Sequence, residues 1–212
     1  MKKRKKPIRK IALEDYDKSL IIYDDHPYLD YKRMKNLSLI DMTNYRVIFD
    51  GCVFENVVMN KNDFFRAEFI DCTFVDCDLS NNKFTHSTFI RCEFIHSKLI
   101  GSHFVQSQLT SILFENCQLN YIDLAENKMK FIEINHSMLI ESNWFENHIN
   151  ELEFYQNDMR KTMFYKSSLK DVDISTCDIG EMQVDEKSLK GVMIDAYQAP
   201  EFCKLLGIKI KE

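Results

Sequence analysis

Three of the seven cysteines, Cys52, Cys72 and Cys92, recur at intervals of 20 residues. Thiols in such a row could bind a soft metal as thiolates or close a disulfide. The six histidines (26, 86, 96, 103, 136 and 148) do not fall at zinc-ligand spacings. No phosphate-cradling glycine loop or nucleophile elbow is present, so neither catalysis nor a cofactor or metal site is expected. The other regularly spaced reactive groups are carboxylates, Glu55, Asp76, Glu93, Glu115, Glu133, Glu153, Asp173 and Asp195, roughly one every 20 residues. Anions in a row attract a basic partner rather than make or break bonds. The net charge of −5 argues against direct binding to nucleic acid. An odd number of cysteines without a secretory segment implies reduced thiols and a cytoplasmic chain. No apolar run nears the roughly 18 residues that would imply a membrane span.

These residues are positioned by a repeat of five. From Phe49 to Ile194, all 30 positions taken in steps of five are large and apolar, and 12 of the 16 phenylalanines fall on this register. The position two residues earlier is small or medium through most of the run, and holds six of the seven cysteines. A period of five fits neither a helix nor a flat strand, so the chain must turn at every repeat. Two inward positions per five residues, one large and one small, describe a coil filled by stacked side chains, with four segments closing a square and the next coil starting 20 residues on. Cys52, Cys72 and Cys92 then stack at one inner corner, where a cysteine reads as a small apolar filler. His96 and His136 share a face, two coils apart. With no insertion between residues 49 and 194, little loop remains for an active site.

Stretches such as Cys72-Thr73-Phe74-Val75-Asp76, Cys77-Asp78-Leu79-Ser80-Asn81 and Ser97-Lys98-Leu99-Ile100-Gly101 resemble the A(D/N)LXX units of the pentapeptide-repeat family. The resemblance implies an all-β chain, a right-handed quadrilateral β-helix over residues 47–196. At an interstrand spacing of about 4.8 Å it would have 7 to 8 coils, roughly 35 Å in length.

The ends break the pattern. Residues 1–46 are expected to form a basic tail and an N-terminal cap. The first ten residues hold seven Lys or Arg and read as disordered, Leu20–Tyr23 as a strand, and His26-Pro27-Tyr28 as a turn, with Leu37, Leu39 and Met42 leading into the first coil. Residues 197–212 read as a short helix, with Asp195 near its start and Gly207 at its stop, followed by a strand at Ile208-Lys209-Ile210. The stretch Leu189–Asp195, with Gln198-Ala199 and Leu206-Gly207-Ile208, resembles the closing segment of Qnr-type quinolone-resistance proteins. That implies a homodimer through Phe202, Leu205, Leu206 and Ile208.

Sorted by the 20-residue period, the face centred on Phe54, Phe74 and Phe94 carries the eight carboxylates named above and no Lys or Arg. Residues 48–196 hold 24 acids and 13 bases, a net −11. One carboxylate per coil approaches, within a factor of a few, the charge density of duplex DNA, one per about 1.7 Å of axis. The Qnr resemblance implies a DNA mimic that binds DNA gyrase and/or topoisomerase IV and protects them from quinolones. The alternative is a scaffold for another protein, contacted through the outward apolar residues Phe65, Ile70, Val75, Ile90, Ile95, Ile100 and Val105. Reversal of Glu93, Glu115 and Glu133 to Lys is expected to separate the two readings.

Overall fold

The computed structural model describes residues 3–9, 12–16, 27–40, 45–205 and 207–211. The expected strand at Leu20–Tyr23, along with His26, Met42 and Leu206, lies outside them. The repeat builds a four-sided solenoid of about 8 turns. On one side Tyr28–Asp30, Ile48–Asp50, Glu68–Ile70 and Thr88–Ile90 stack in parallel. On the next side Lys32–Lys35, Val53–Glu55, Thr73–Val75 and Glu93–Ile95 do the same. Both sides continue into Gln108–Glu115, Lys128–Asn135 and His148–Tyr155, which run round the shared corner. Single bridges at the same offset, such as Val58 to Asp78 to Lys98 and Asp63 to Lys83 to His103, build the other two sides. The ladder already runs ahead of residue 47: Leu29 lies opposite Phe49, and Glu14–Asp15 pairs with Lys32 and Arg33.

Nearly every described corner turns through a left-handed residue two positions after the large apolar one, Thr176 and Glu186 being exceptions. Among the described residues, 27 such positions are not glycine, with φ from +49° to +65°. Gly51 is there for space as well: a Cβ would lie 2.6 Å from the Tyr31 ring.

The large inward residues are buried from Phe49 onward, except the half-buried Ile149, Val184, Leu189 and Ile194. Because equivalent residues lie one strand spacing apart, aromatic rings stack face to face down the axis. Phe54, Phe74, Phe94 and Phe114 form one column, with centroids 4.5, 4.7 and 4.9 Å apart and planes within 13°. Phe49, Phe69 and Phe89 form a second column, at 5.1 and 4.7 Å.

The small inward position is more than filler. Ser87, Ser102 and Thr162 donate hydroxyl hydrogen bonds to the carbonyls of Phe64, Leu79 and Leu139, at 2.7, 2.7 and 2.9 Å. Asn157 donates to Ile134 O at 2.7 Å, while Asn157 Oδ1 accepts from Ser137 N–H at 2.8 Å. The thiols of Cys52, Cys72 and Cys92 repeat the contact, with Sγ 3.4, 3.3 and 3.2 Å from the carbonyls of Leu29, Phe49 and Phe69. Where the position holds Ser, Thr, Asn or Cys, the compact group can donate to the coil beneath; elsewhere Val, Ala, Ile, Leu or Met fills it without a donor, as at Val47, Ala67 and Ile112. Burial pushes the Cys52 and Cys77 thiols up to about 11 and that of Cys117 to about 12, and raises Cys72 strongly, with neighbouring Cys92 adding to the effect.

The ladder opens once. On earlier coils Gly51 N–H donates to Ile70 O and Thr73 N–H to Cys52 O. The counterparts 100 residues on, Glu151 N–H with Lys170 O and Asp173 N–H with Leu152 O, do not bond. The opening is bounded by Asn147 N–H on Ser167 Oγ (2.9 Å) and Gln156 N–H on Thr176 Oγ1 (3.0 Å). At the 20-residue offset Glu151 falls over Asp171 and Glu153 over Asp173, but Glu133 over Glu153 and Asp158 over Asp178 stay paired, so like charge alone does not open the ladder.

The last coil departs from the strict period. A helical turn at Glu186–Leu189, capped by Asp185, brings Ser188 rather than Lys187 into the inward position, where its Oγ accepts from Ser167 N–H at 3.0 Å. The terminal helix spans Ala199–Leu205. Asp195 Oδ1 accepts from Tyr197 and Gln198 N–H at its approach. Gln198 Nε2 caps the open end of the core by donating to Ile174 O and Cys177 O at 2.9 and 2.8 Å. Ile208–Ile210, expected as a strand, forms none with the described residues, and both isoleucines are about half exposed.

Three outcomes are expected. Phe94→Ala should cost about 3–5 kcal/mol in urea unfolding, and Phe94→Asp should abolish cooperative folding, because it places an unpaired charge between two rings. The Glu151 and Asp173 amides should exchange on the order of 100-fold faster than those of Arg91 and Glu93, which are bonded to Thr110 O and Cys72 O; comparable protection would mean that the seam is closed in solution. Stability should fall as pH rises above about 8.5, where the unfolded thiols ionise while the folded ones keep their protons. The slope would reach up to about 1.4 kcal/mol per pH unit for each buried thiol until the folded values are reached. Urea titrations at pH 8 and pH 10 read this, and Cys72→Ser should flatten it.

Candidate functional site

The eight carboxylates share a side of the solenoid but not a line. Glu93, Glu133 and Glu153 occupy one row of the ladder, with Thr73 before them and Leu113 interrupting between Glu93 and Glu133. Asp173 follows at the next 20-residue step. Glu55 and Glu115 lie in the parallel row two residues away, separated by Val75 and Ile95 and followed by Asn135 and Tyr155. Asp76 is a corner residue, and Asp195 belongs to the turn before the terminal helix.

Nor is this side free of cations. Its own strands contribute none beyond residue 48, but the first 35 residues bring four. Glu55 faces Lys35 Nζ at 3.3 Å and Arg33 Nε at 4.0 Å, both from the preceding coil. Residues 3–9, expected as a disordered tail, are instead laid across the middle of the face. Arg4 sets Nη2 3.0 Å from Glu93 Oε1 and Nε 2.9 Å from Glu133 Oε2, so it spans the gap over Leu113. Its side chain is only 6% exposed and that of Glu93 8%. Arg9 approaches the second Glu93 oxygen at 3.7 Å, and Pro7 is buried. Ile8 N–H donates to Asp71 Oδ1 at 2.8 Å. Asp71, a buried corner carboxylate, is also gripped bidentately by Arg91 at 2.6 and 2.7 Å.

The physical reason for this correction is charge. A cationic segment has an anionic groove within reach, and a guanidinium between two carboxylates makes charge-assisted bonds to both. Arg4, Arg9, Asp71 and Arg91 were not picked out from the sequence. The one available signal was the conjunction of seven basic residues in the first ten with a side that carries none.

The other carboxylates are open or lightly engaged. Asp76 faces His96 Nδ1 at 3.7 Å. Glu115 accepts from Asn135 Nδ2 at 3.0 Å. Glu153 and Asp173 are exposed and border an open groove with His136, Tyr155, Asp171 and Met193, at the seam in the ladder. Ser175 holds the Asp173 carboxyl below the usual carboxylate range by hydrogen bonding, so it is anionic at neutral pH.

At the C-terminus, Phe202 leans on the core and is half-buried, whereas Leu205 and Ile208 are exposed. The outward apolar residues are half-buried in vertical rows, with Ile70 beside Ile90 and Val75 beside Ile95. Among the described residues no group of three His, Cys, Asp or Glu is arranged to hold a metal ion, and no helix is long and apolar enough to cross a membrane.

The family described as a pentapeptide repeat region matches residues 47–124 and again 67–144. No curated protein is significantly similar in sequence. Among solved structures, a trypsin-treated variant of QnrB1, a plasmid-mediated fluoroquinolone resistance protein, is 19% identical with a TM-score of 0.54, covering 88% of this chain and 100% of that one. HetL, a pentapeptide repeat protein involved in heterocyst differentiation regulation from the cyanobacterium Nostoc sp. strain PCC 7120, is 13% identical with a TM-score of 0.41, covering 80% and 90%. The repeat match and the four-sided parallel coil agree: the chain carries a pentapeptide-repeat region and is a repeat scaffold folded as a right-handed quadrilateral β-helix.

Proposed function

We propose that this scaffold binds DNA gyrase and/or topoisomerase IV as a DNA mimic, through its acidic side, and protects the enzyme from quinolones. The observation that carries the reading is a stack of coils with a net −11 over residues 48–196, on which Glu115, Glu153 and Asp173 have no Lys or Arg partner among the described residues. Carboxylates presented at multiples of about 4.8 Å create a linear field, which a basic groove shaped for duplex DNA would accept. The fold likeness to a fluoroquinolone resistance protein and the Qnr-like closing segment support the same reading. A dimer would double the length of the rod, and the exposed Leu205 and Ile208 are the apolar side chains available to cover one another across a two-fold axis. DNA itself is repelled by such a face.

The test is gyrase supercoiling across a titration of the protein, with and without a fluoroquinolone, while light scattering reports the oligomeric state. The wild-type protein should inhibit the enzyme or shield it from the drug as a dimer. Reversal of Glu115, Glu153 and Asp173 to Lys should weaken the effect at least tenfold, in line with charge pairs worth about 1.4 kcal/mol or more together. These three replace the set chosen from sequence because Glu93 and Glu133 hold Arg4, and reversing them would also eject the N-terminal segment. No effect on either topoisomerase would overturn the reading.

A further inference from the structure

We propose that residues 3–9 are a resident occupant of the acidic face, and that an arginine-bearing segment of a partner gains this part of the face only by displacing them. The inference deepens the function proposed above and rests on it only for the identity of the partner.

The geometry is that of a bound peptide. An extended basic segment is anchored at two points, Arg4 between Glu93 and Glu133 and the Ile8 amide on Asp71, with Pro7 buried between them. The Arg4 guanidinium is as enclosed as a ligand in a pocket, and it bridges two carboxylates that the ladder separates by two coil steps. By contrast, the lysines around it, Lys3, Lys5 and Lys6, are exposed and make no ion pair with the coil. The two arginines therefore carry the electrostatic recognition, the enclosed Arg4 with two carboxylates and the exposed Arg9 with one.

The occupied positions are the centre of the face. Left bare are Glu115 on one flank and Glu153 and Asp173 beyond, so a partner could first engage the uncovered end and then compete for Glu133 and Glu93. Such a contact is reversible. Its two anchors are polar, and the exposed Arg9 contact weakens with salt while the enclosed Arg4 pairs are screened little. It is also specific, because a guanidinium can meet both carboxylates at once where an ammonium meets them as a point charge.

The test uses the full-length chain and a fluorescein-labelled peptide of residues 3–9 as the probe, read by anisotropy. In Arg4→Glu the segment is expelled, and the probe should bind at least tenfold more tightly than to wild type, where the resident segment excludes it. Lys5→Glu makes the same charge change at an exposed position and should behave as wild type. Adding Glu133→Gln to Arg4→Glu should abolish the gained binding.

Equal probe binding by wild type and Arg4→Glu, or an equal gain in Lys5→Glu, would overturn the proposal. So would loss of the folded state in Arg4→Glu by circular dichroism, because the segment would then be part of the fold. Supercoiling assays on the same proteins separate the two readings. If the probe exchanges as expected but no variant affects gyrase or topoisomerase IV, the displaceable segment stands and the topoisomerase partner falls. If both hold, Arg4→Glu should inhibit at lower concentration than Lys5→Glu.

Discussion

Parallel main-chain pairing at a constant offset of 20 residues is the constraint from which the rest of the molecule follows. It sets equivalent residues one strand spacing apart, which makes a column of phenylalanines a face-to-face stack rather than a jumble. It also brings the second inward side chain within reach of a carbonyl on the coil beneath, so a polar residue at that position can be buried with its donor satisfied. Outside, the same offset sorts surface charge into rows. Those rows put carboxylate over carboxylate at Glu133 with Glu153, which stay paired, and at Glu151 with Asp171 and Glu153 with Asp173, where the ladder is open.

The coil was legible because its signal is local and repeated: each large apolar residue announces the next five positions on. The row positions of the carboxylates follow from the same count, which puts Glu93, Glu133 and Glu153 on one line and Glu55 and Glu115 on another two residues away. The resting place of residues 3–9 was not legible. Arg4 meets Glu93 and Glu133 across 89 and 129 residues of chain, and nothing in a periodic pattern states where a non-periodic segment comes to rest. The turn at Glu186–Leu189 was hidden for the opposite reason. Leu189 keeps the apolar register, so the one-residue shift that brings Ser188 inward leaves no gap in the pattern.

Function on such a scaffold resides in what the flat sides carry and in what already lies on them. A side whose strands contain only acids looks, by composition, like an unopposed field. In the folded chain its middle is neutralised by Arg4 and Arg9, its first coil by Arg33 and Lys35, and its unopposed charge is concentrated beside the seam. The electrostatic footprint presented to a partner is therefore shorter than the rod, and lies toward its C-terminal end.

The corners have a consequence for how the chain acquires its shape. A left-handed conformation costs an ordinary residue about 1 kcal/mol or more, and 27 described residues adopt it. Together they oppose folding by more than the roughly 5–15 kcal/mol by which a typical domain is stable. A single square of four corners has no neighbour above or below to offset that strain, so it cannot persist alone. Several coils must form together before growth by one more becomes downhill. The rod should therefore assemble through a rare, multi-coil nucleus and, once complete, come apart slowly, preferentially from an end.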